Sequence, residues 1–92
     1  IACVAKQQNV VCKIGAIEEW GVANPHPLLD FVVECFGFQR VMFESNWFVS
    51  KACGFRYDRL VRTAEEAMKR NGATEEDLRD VFCRNAERVY KL

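Results

Sequence analysis

The stretch Leu28–Phe36, LLDFVVECF, constrains the fold more than any other. Its apolar members, Leu28, Leu29, Phe31, Val32, Val33, Cys35 and Phe36, cover nearly the whole circumference of a helix. A helix that is apolar all round is either buried all round or covered by a partner. Two β-rich runs flank it, VVCKIGAI at Val10–Ile17 and VMFES at Val41–Ser45. Strands joined through a helix run parallel, and parallel strands are covered on both faces. A two-stranded parallel sheet with this helix shows more core-seeking surface than the chain can cover. The chain is therefore either a section of a larger α/β protein or a piece that assembles with copies of itself.

The remaining elements follow from periodicity and breakers. Residues 1–7 resemble the tail of a helix, and Asn9 turns the chain. In the first run, alternation puts Val11, Lys13 and Gly15 on one face. Val10, Cys12, Ile14 and Ala16 form the other, wholly apolar face. Glu18–Pro27 reads as a loop, with Gly21 and the Asn24-Pro25-His26-Pro27 cluster as breakers. Pro27 suits the first turn of the next helix, and Gly37 suits its C-terminal cap. In the second run Met42, Glu44 and Asn46 share a face, opposite Val41, Phe43 and Ser45. Trp47–Phe55 reads as a loop. Tyr57–Asn71 is an amphipathic helix with Leu60, Val61, Ala64, Ala67 and Met68 inward. Its charged face, Arg59, Arg62, Glu65, Glu66, Lys69 and Arg70, is read as solvated and laced with i,i+4 pairs. Thr74-Glu75-Glu76-Asp77 is a capping-box-like start. Asn85 interrupts the apolar stripe that follows, so it is expected to cap a second short helix.

Composition narrows the class. The chain has 92 residues, room for one domain with no internal boundary. Half of it is hydrophobic, and thirteen basic residues balance thirteen acidic ones. That balance argues against nucleic acid as a partner. No apolar run approaches the ~20 residues that span a bilayer, so no membrane partner is expected. The start, IACVAKQQ, lacks the apolar core of a signal peptide and an initiator Met, as a processed product or a fragment would. Five cysteines with no Cys-x-x-Cys pair argue against a structural zinc site and for a reduced, cytoplasmic setting.

Three segments carry a resemblance. Phe36, Gly37, Arg40, Val41, Met42, Phe43, Ser45 and Trp47 are similar to the last barrel strand of one branch of the metal-dependent amidohydrolase superfamily. Asn9-Val10-Val11-Cys12-Lys13-Ile14 with Ala16 resembles an earlier strand of that branch. Asn85, Ala86, Arg88, Tyr90 and Leu92 match its ending. The branch folds as a (β/α)8 TIM barrel and contains lactonases and decarboxylases of small organic acids. The resemblance implies that residues 1–92 are the C-terminal quarter of such a barrel, strand 7 to helix 8. It implies a parent hydrolase that uses a divalent metal, zinc or similar, on a small-molecule substrate such as a sugar lactone. No metal is expected to bind this chain tightly. Its expected partners are the remainder of the barrel or, as a homo-oligomer, copies of itself.

The resemblance also places candidate site residues. Asn46 stands where the family has the aspartate that completes the metal site or acts as base. An amide oxygen can touch a metal, but it takes no proton near neutral pH. Losing a base costs ~10²–10⁴ in rate; the isolated chain is expected to be inactive because a quarter of a barrel lacks the family's histidine ligands. Glu44 stands where the family has glycine. It either restores a negative charge near the metal or pairs with Lys13 on the neighbouring strand. Trp47, Trp20 and His26 are candidate substrate-lining residues, because loops after barrel strands line the site. Arg40 is expected to pair a carboxylate at the barrel bottom. The alternative function is a non-enzymatic, self-associating structural or interaction module.

Overall fold

The computed structural model describes residues 1–92. In chain order it has α1 (Ala2–Ala5), β1 (Cys12–Ile14), a 3-10 turn (Ile17–Trp20), α2 (His26–Phe36), a second 3-10 turn (Phe38–Arg40) and β2 (Val41–Phe43). Then come α3 (Val49–Ala52), α4 (Tyr57–Arg70), α5 (Glu75–Arg79), a π turn (Asp80–Arg84) and α6 (Asn85–Tyr90). The strands are parallel, in register Cys12↔Val41, Lys13↔Met42 and Ile14↔Phe43. The α/β class and the strand–helix–strand order are those the sequence pattern predicts.

The strands are shorter than their β-rich runs. Ala16, at φ 52°, turns β1 away before Ile17, and neither strand has an outer neighbour to extend its ladder. The core gathers Ile14, Val41, four residues of α2 and three of α4. From α2 come Leu29, Val32, Val33 and Phe36; from α4, Ala64, Ala67 and Met68. Each large side chain fully buried here contributes about 1.5–3 kcal/mol. Helix α2 is not buried all round: Leu28 and Phe31 remain 45% and 41% exposed. Of its two acids, Asp30 accepts hydrogen bonds from Arg70 and Asn71 at the end of α4. The Arg70 guanidinium, and then Asn71, hold the Asp30 carboxyl below the usual carboxylate range. Gly37 closes α2 at φ 73°, a left-handed value that favours glycine.

Four local expectations are corrected. The loop expected at Trp47–Phe55 contains the one-turn helix α3, and the loop after β1 begins with a 3-10 turn. Asn85 is not a cap: the helical backbone runs through it, with Arg84 already helical at φ −64°. Its buried amide instead donates to the carbonyls of Phe38, at 2.7 Å, and Val41, at 2.8 Å. Arg40 meets no carboxylate. It donates to the carbonyls of Ala5, Gln7 and Val10 from one nitrogen and to Phe36 O from Nε. The capping box at the start of α5 forms as expected, with Asp77 returning a bond to the Thr74 N–H.

Candidate active site

The strands end at one level, and the segments after them meet. Past β1, Gly15 and Ala16 lead into the 3-10 turn that carries Glu18, Glu19 and Trp20. Past β2, Glu44 N–H donates to Ile14 O at 2.9 Å, adding one rung to the ladder. The Trp47 N–H donates to the Ser45 hydroxyl at 3.1 Å, tightening the turn at the tip. Between them Asn46 takes the left-handed conformation, φ 54°, which Asn tolerates better than most residues.

Glu19 joins the two tips. Its carboxylate accepts from Asn46 Nδ2 at 3.0 Å and from the Ser50 hydroxyl at 2.5 Å. Ser50 is fully buried at the start of α3. The Asn46 amide nitrogen is thus committed to Glu19, while no protein group bonds its oxygen.

Glu44 pairs with Lys13 at 2.7 Å, and both side chains stay nearly half exposed. Alternation on the two strands predicted this pairing. The Glu44 hydrogen bond and charge hold the Lys13 ammonium above the usual lysine range. Gly15 makes room for the pair. A Cβ there would sit 2.2 Å from Glu44 Cγ and 2.9 Å from the Glu44 carbonyl oxygen.

The other candidate residues are dispersed. Trp20 donates from its indole to Gly15 O at 3.0 Å and packs against the core. Trp47 is 44% exposed and meets Tyr57 edge-to-face, with ring centroids 5.4 Å apart. His26, the first residue of α2, lines a cavity of about 650 Å³ between the segment after β1 and the segment entering α4. The structure therefore brings Asn46 to Glu19 and Glu44 to Lys13, and sets His26 in a separate cavity.

Sequence reasoning missed Glu19 and Ser50. Glu19 had one signal, an acid directly after a strand tip, the end where α/β folds place chemistry. Ser50 had none.

No three His, Cys, Asp or Glu side chains lie close enough together to hold a metal ion. At the strand tips the donors are the Asn46 amide oxygen, the Glu19 carboxylate already bonded to Asn46 and Ser50, and the Glu44 carboxylate paired with Lys13. A catalytic zinc takes three protein ligands, so these residues alone do not fit a zinc site.

No curated protein matches the chain in sequence. Among solved structures, it is similar to an amidohydrolase from Burkholderia multivorans crystallised with bound zinc. The TM-score is 0.85 at 24% identity, over 99% of this chain and 35% of that one. A second crystal form of a Burkholderia multivorans amidohydrolase, with bound HEPES, aligns with TM-score 0.82 at 24% identity, over 99% and 34% of the two chains. The chain thus spans about a third of the length of these structures, and at that identity the likeness speaks to fold. A family model described as Amidohydrolase matches residues 1–92, and the chain belongs to the amidohydrolase family.

Proposed function

We propose that this chain provides strand 7 to helix 8 of a (β/α)8 hydrolase barrel that acts, with a divalent metal, on a small substrate such as a sugar lactone. The observation that carries the reading is the meeting of Glu19 and Asn46 across two parallel strand tips. In barrels of this kind, chemistry sits at the C-terminal ends of the strands. In this reading β1 is strand 7, β2 is strand 8, and Asn46 stands at the position of the family's aspartate. What these residues do is orient. Glu19 fixes the Asn46 amide by its nitrogen and leaves the oxygen to face the reacting group as a neutral acceptor. Neither Asn46 nor Ser50 offers a base. The metal ligands and the rest of the site come from elsewhere in the barrel.

The test is a lactonase assay on the 92-residue chain with added zinc or manganese. The reading predicts no turnover above the metal-only background. Clear turnover, lost on Glu19→Gln, would replace it with a self-sufficient site.

A second reading, a self-associating module without catalysis, is favoured by one observation. Phe48 is 74% exposed, beside Trp47, Val49 and Tyr57, which are all at least 44% exposed. Sedimentation at micromolar concentration separates the two. A dimer that dissociates on Phe48→Ser supports self-association, and a folded monomer removes it.

A further inference from the structure

Helix α4 ends on Asn71-Gly72, the one Asn-Gly step among the five asparagines of the chain. An asparagine followed by glycine is the most easily deamidated, because glycine has no side chain to shield the backbone nitrogen that attacks the amide. Gly72 is exposed, and even an added Cβ would meet nothing within 4 Å. By sequence alone this step is labile.

The structure holds it shut at three points. The Gly72 N–H, which must give up its proton to attack, donates to Lys69 O at 3.0 Å. Together with the Ala73 N–H on Met68 O at 3.1 Å, this is a Schellman ending, with Gly72 at its left-handed position, φ 88°. The Asn71 backbone, at ψ 10°, turns the Gly72 nitrogen away from the Asn71 side chain. The Asn71 amide is tied by its nitrogen to Asp30 Oδ1 on α2 and to Ala67 O, each at 2.8 Å. Of these bonds, the one to Asp30 alone reaches outside α4 and its cap.

We propose that Asn71 is a deamidation site latched by Asp30: the reaction waits for the last turn of α4 to open and, once done, prevents the latch from closing again. Helix ends open locally at far lower cost than the whole fold. In the open segment the Gly72 nitrogen loses its proton to water and bonds Asn71 Cγ. The Cγ–Nδ2 bond breaks and ammonia leaves. One water then opens the cyclic imide, giving an aspartate at position 71 or its isomer linked through the side chain. Water is the only co-reactant, and nothing is oxidised or reduced. The new carboxylate meets Asp30 where the amide donated, and meets the Ala67 carbonyl with no hydrogen to share. It also places negative charge at a helix C-terminus, where the dipole disfavours it. The tie between α2 and α4 is then lost for good. The latch is independent of the hydrolase reading.

The test is incubation of the 92-residue chain at mildly alkaline pH, folded and in urea. Digestion at acidic pH and peptide mass spectrometry then count the conversion at Asn71. The unfolded chain should convert at least about tenfold faster than the folded one. Asp30→Ala should speed the folded chain at least about threefold. Gly15→Ala, which destabilises the fold away from α4, should not. If Asp30→Ala fails to fold, Asp30→Asn, a weaker acceptor of the same shape, should speed conversion in the same direction by a smaller factor. The fate of the product is read from Asn71→Asp and Asn71→Ala. The first should have the lower urea midpoint, and the gap should narrow in high salt. Equal rates folded and unfolded, no acceleration by the Asp30 variants, equal acceleration by Gly15→Ala, or equal midpoints for the two Asn71 variants would each overturn the latch.

Discussion

The two ends of the strand pair are built on opposite principles. At the N-terminal end, Arg40 and Asn85 spend their donors on backbone carbonyls. Arg40 ties Ala5, Gln7, Val10 and Phe36 together, and its guanidinium lies 5.3 Å from the centre of the Phe36 ring. Asn85 ties Phe38 to Val41, and Arg88 bonds Gln39 O and the Asn85 amide oxygen. At the C-terminal end side chains bond side chains: Glu19 with Asn46 and Ser50, Lys13 with Glu44. Two residues there, Ala16 and Asn46, hold left-handed backbone. One end fixes the chain to itself. The other positions charged and amide groups at an open surface. In barrel folds conservation at the first end reads as stability and at the second as chemistry.

That contrast predicts an order of effects. Asn85→Ala should be the most damaging, because it strands two carbonyls at a fully buried site. We expect a loss of about 3 kcal/mol in urea unfolding. A loss under about 1 kcal/mol would mean that water enters to replace the amide.

Gly15→Ala comes next, at about 1–3 kcal/mol from overpacking against Glu44. The double change Gly15→Ala with Glu44→Gly sharpens the point. It should recover part of the loss, because the side-chain clash is gone while the contact with the residue 44 carbonyl persists. No recovery would put the strain in the backbone alone.

Glu19→Ala should cost less, about 1–2 kcal/mol, chiefly from the buried Ser50 hydroxyl that loses its acceptor. The Glu44→Gln change should be smallest, because the Lys13 pair is solvated. Its pH dependence has a definite sign. The folded Lys13 pKa is raised by Glu44, so the pair's contribution is fully present below the unfolded lysine pKa of about 10.4. It is lost as pH rises through the higher folded value. Unfolding curves of the wild type and Glu44→Gln should therefore converge at strongly alkaline pH. Divergence there would contradict the assignment.

The sequence carried the element order because each element advertises a local pattern: valine-rich runs, the Thr74–Asp77 box, the stripe of α4. It also carried the Lys13–Glu44 pair, since alternation on adjacent parallel strands needs only the register. Asn85 was misread because a polar residue in an apolar stripe looks like a helix break. Its partners, Phe38 and Val41, lie more than forty positions away in sequence. Glu19 was missed for the same reason. Its contact with Asn46 spans 27 positions and depends on how two loops fold over the strand tips. Arg59 lies on the solvated face that the pattern of α4 implies, its side chain 73% exposed, and only its pairing with Glu18 needs the fold to be seen.

The central claim is that Glu19 and Asn46 act as a unit across the strand tips. A double-mutant cycle of Glu19→Ala and Asn46→Ala in urea unfolding tests it most directly, because the backbone strain at residue 46 cancels. The account predicts a coupling of about 0.5–1.5 kcal/mol, the net worth of an ordinary hydrogen bond, because solvent at this exposed pair screens the Glu19 charge. Additive losses, with coupling indistinguishable from zero, would mean that the two tips stand independently and that Glu19 does not orient Asn46.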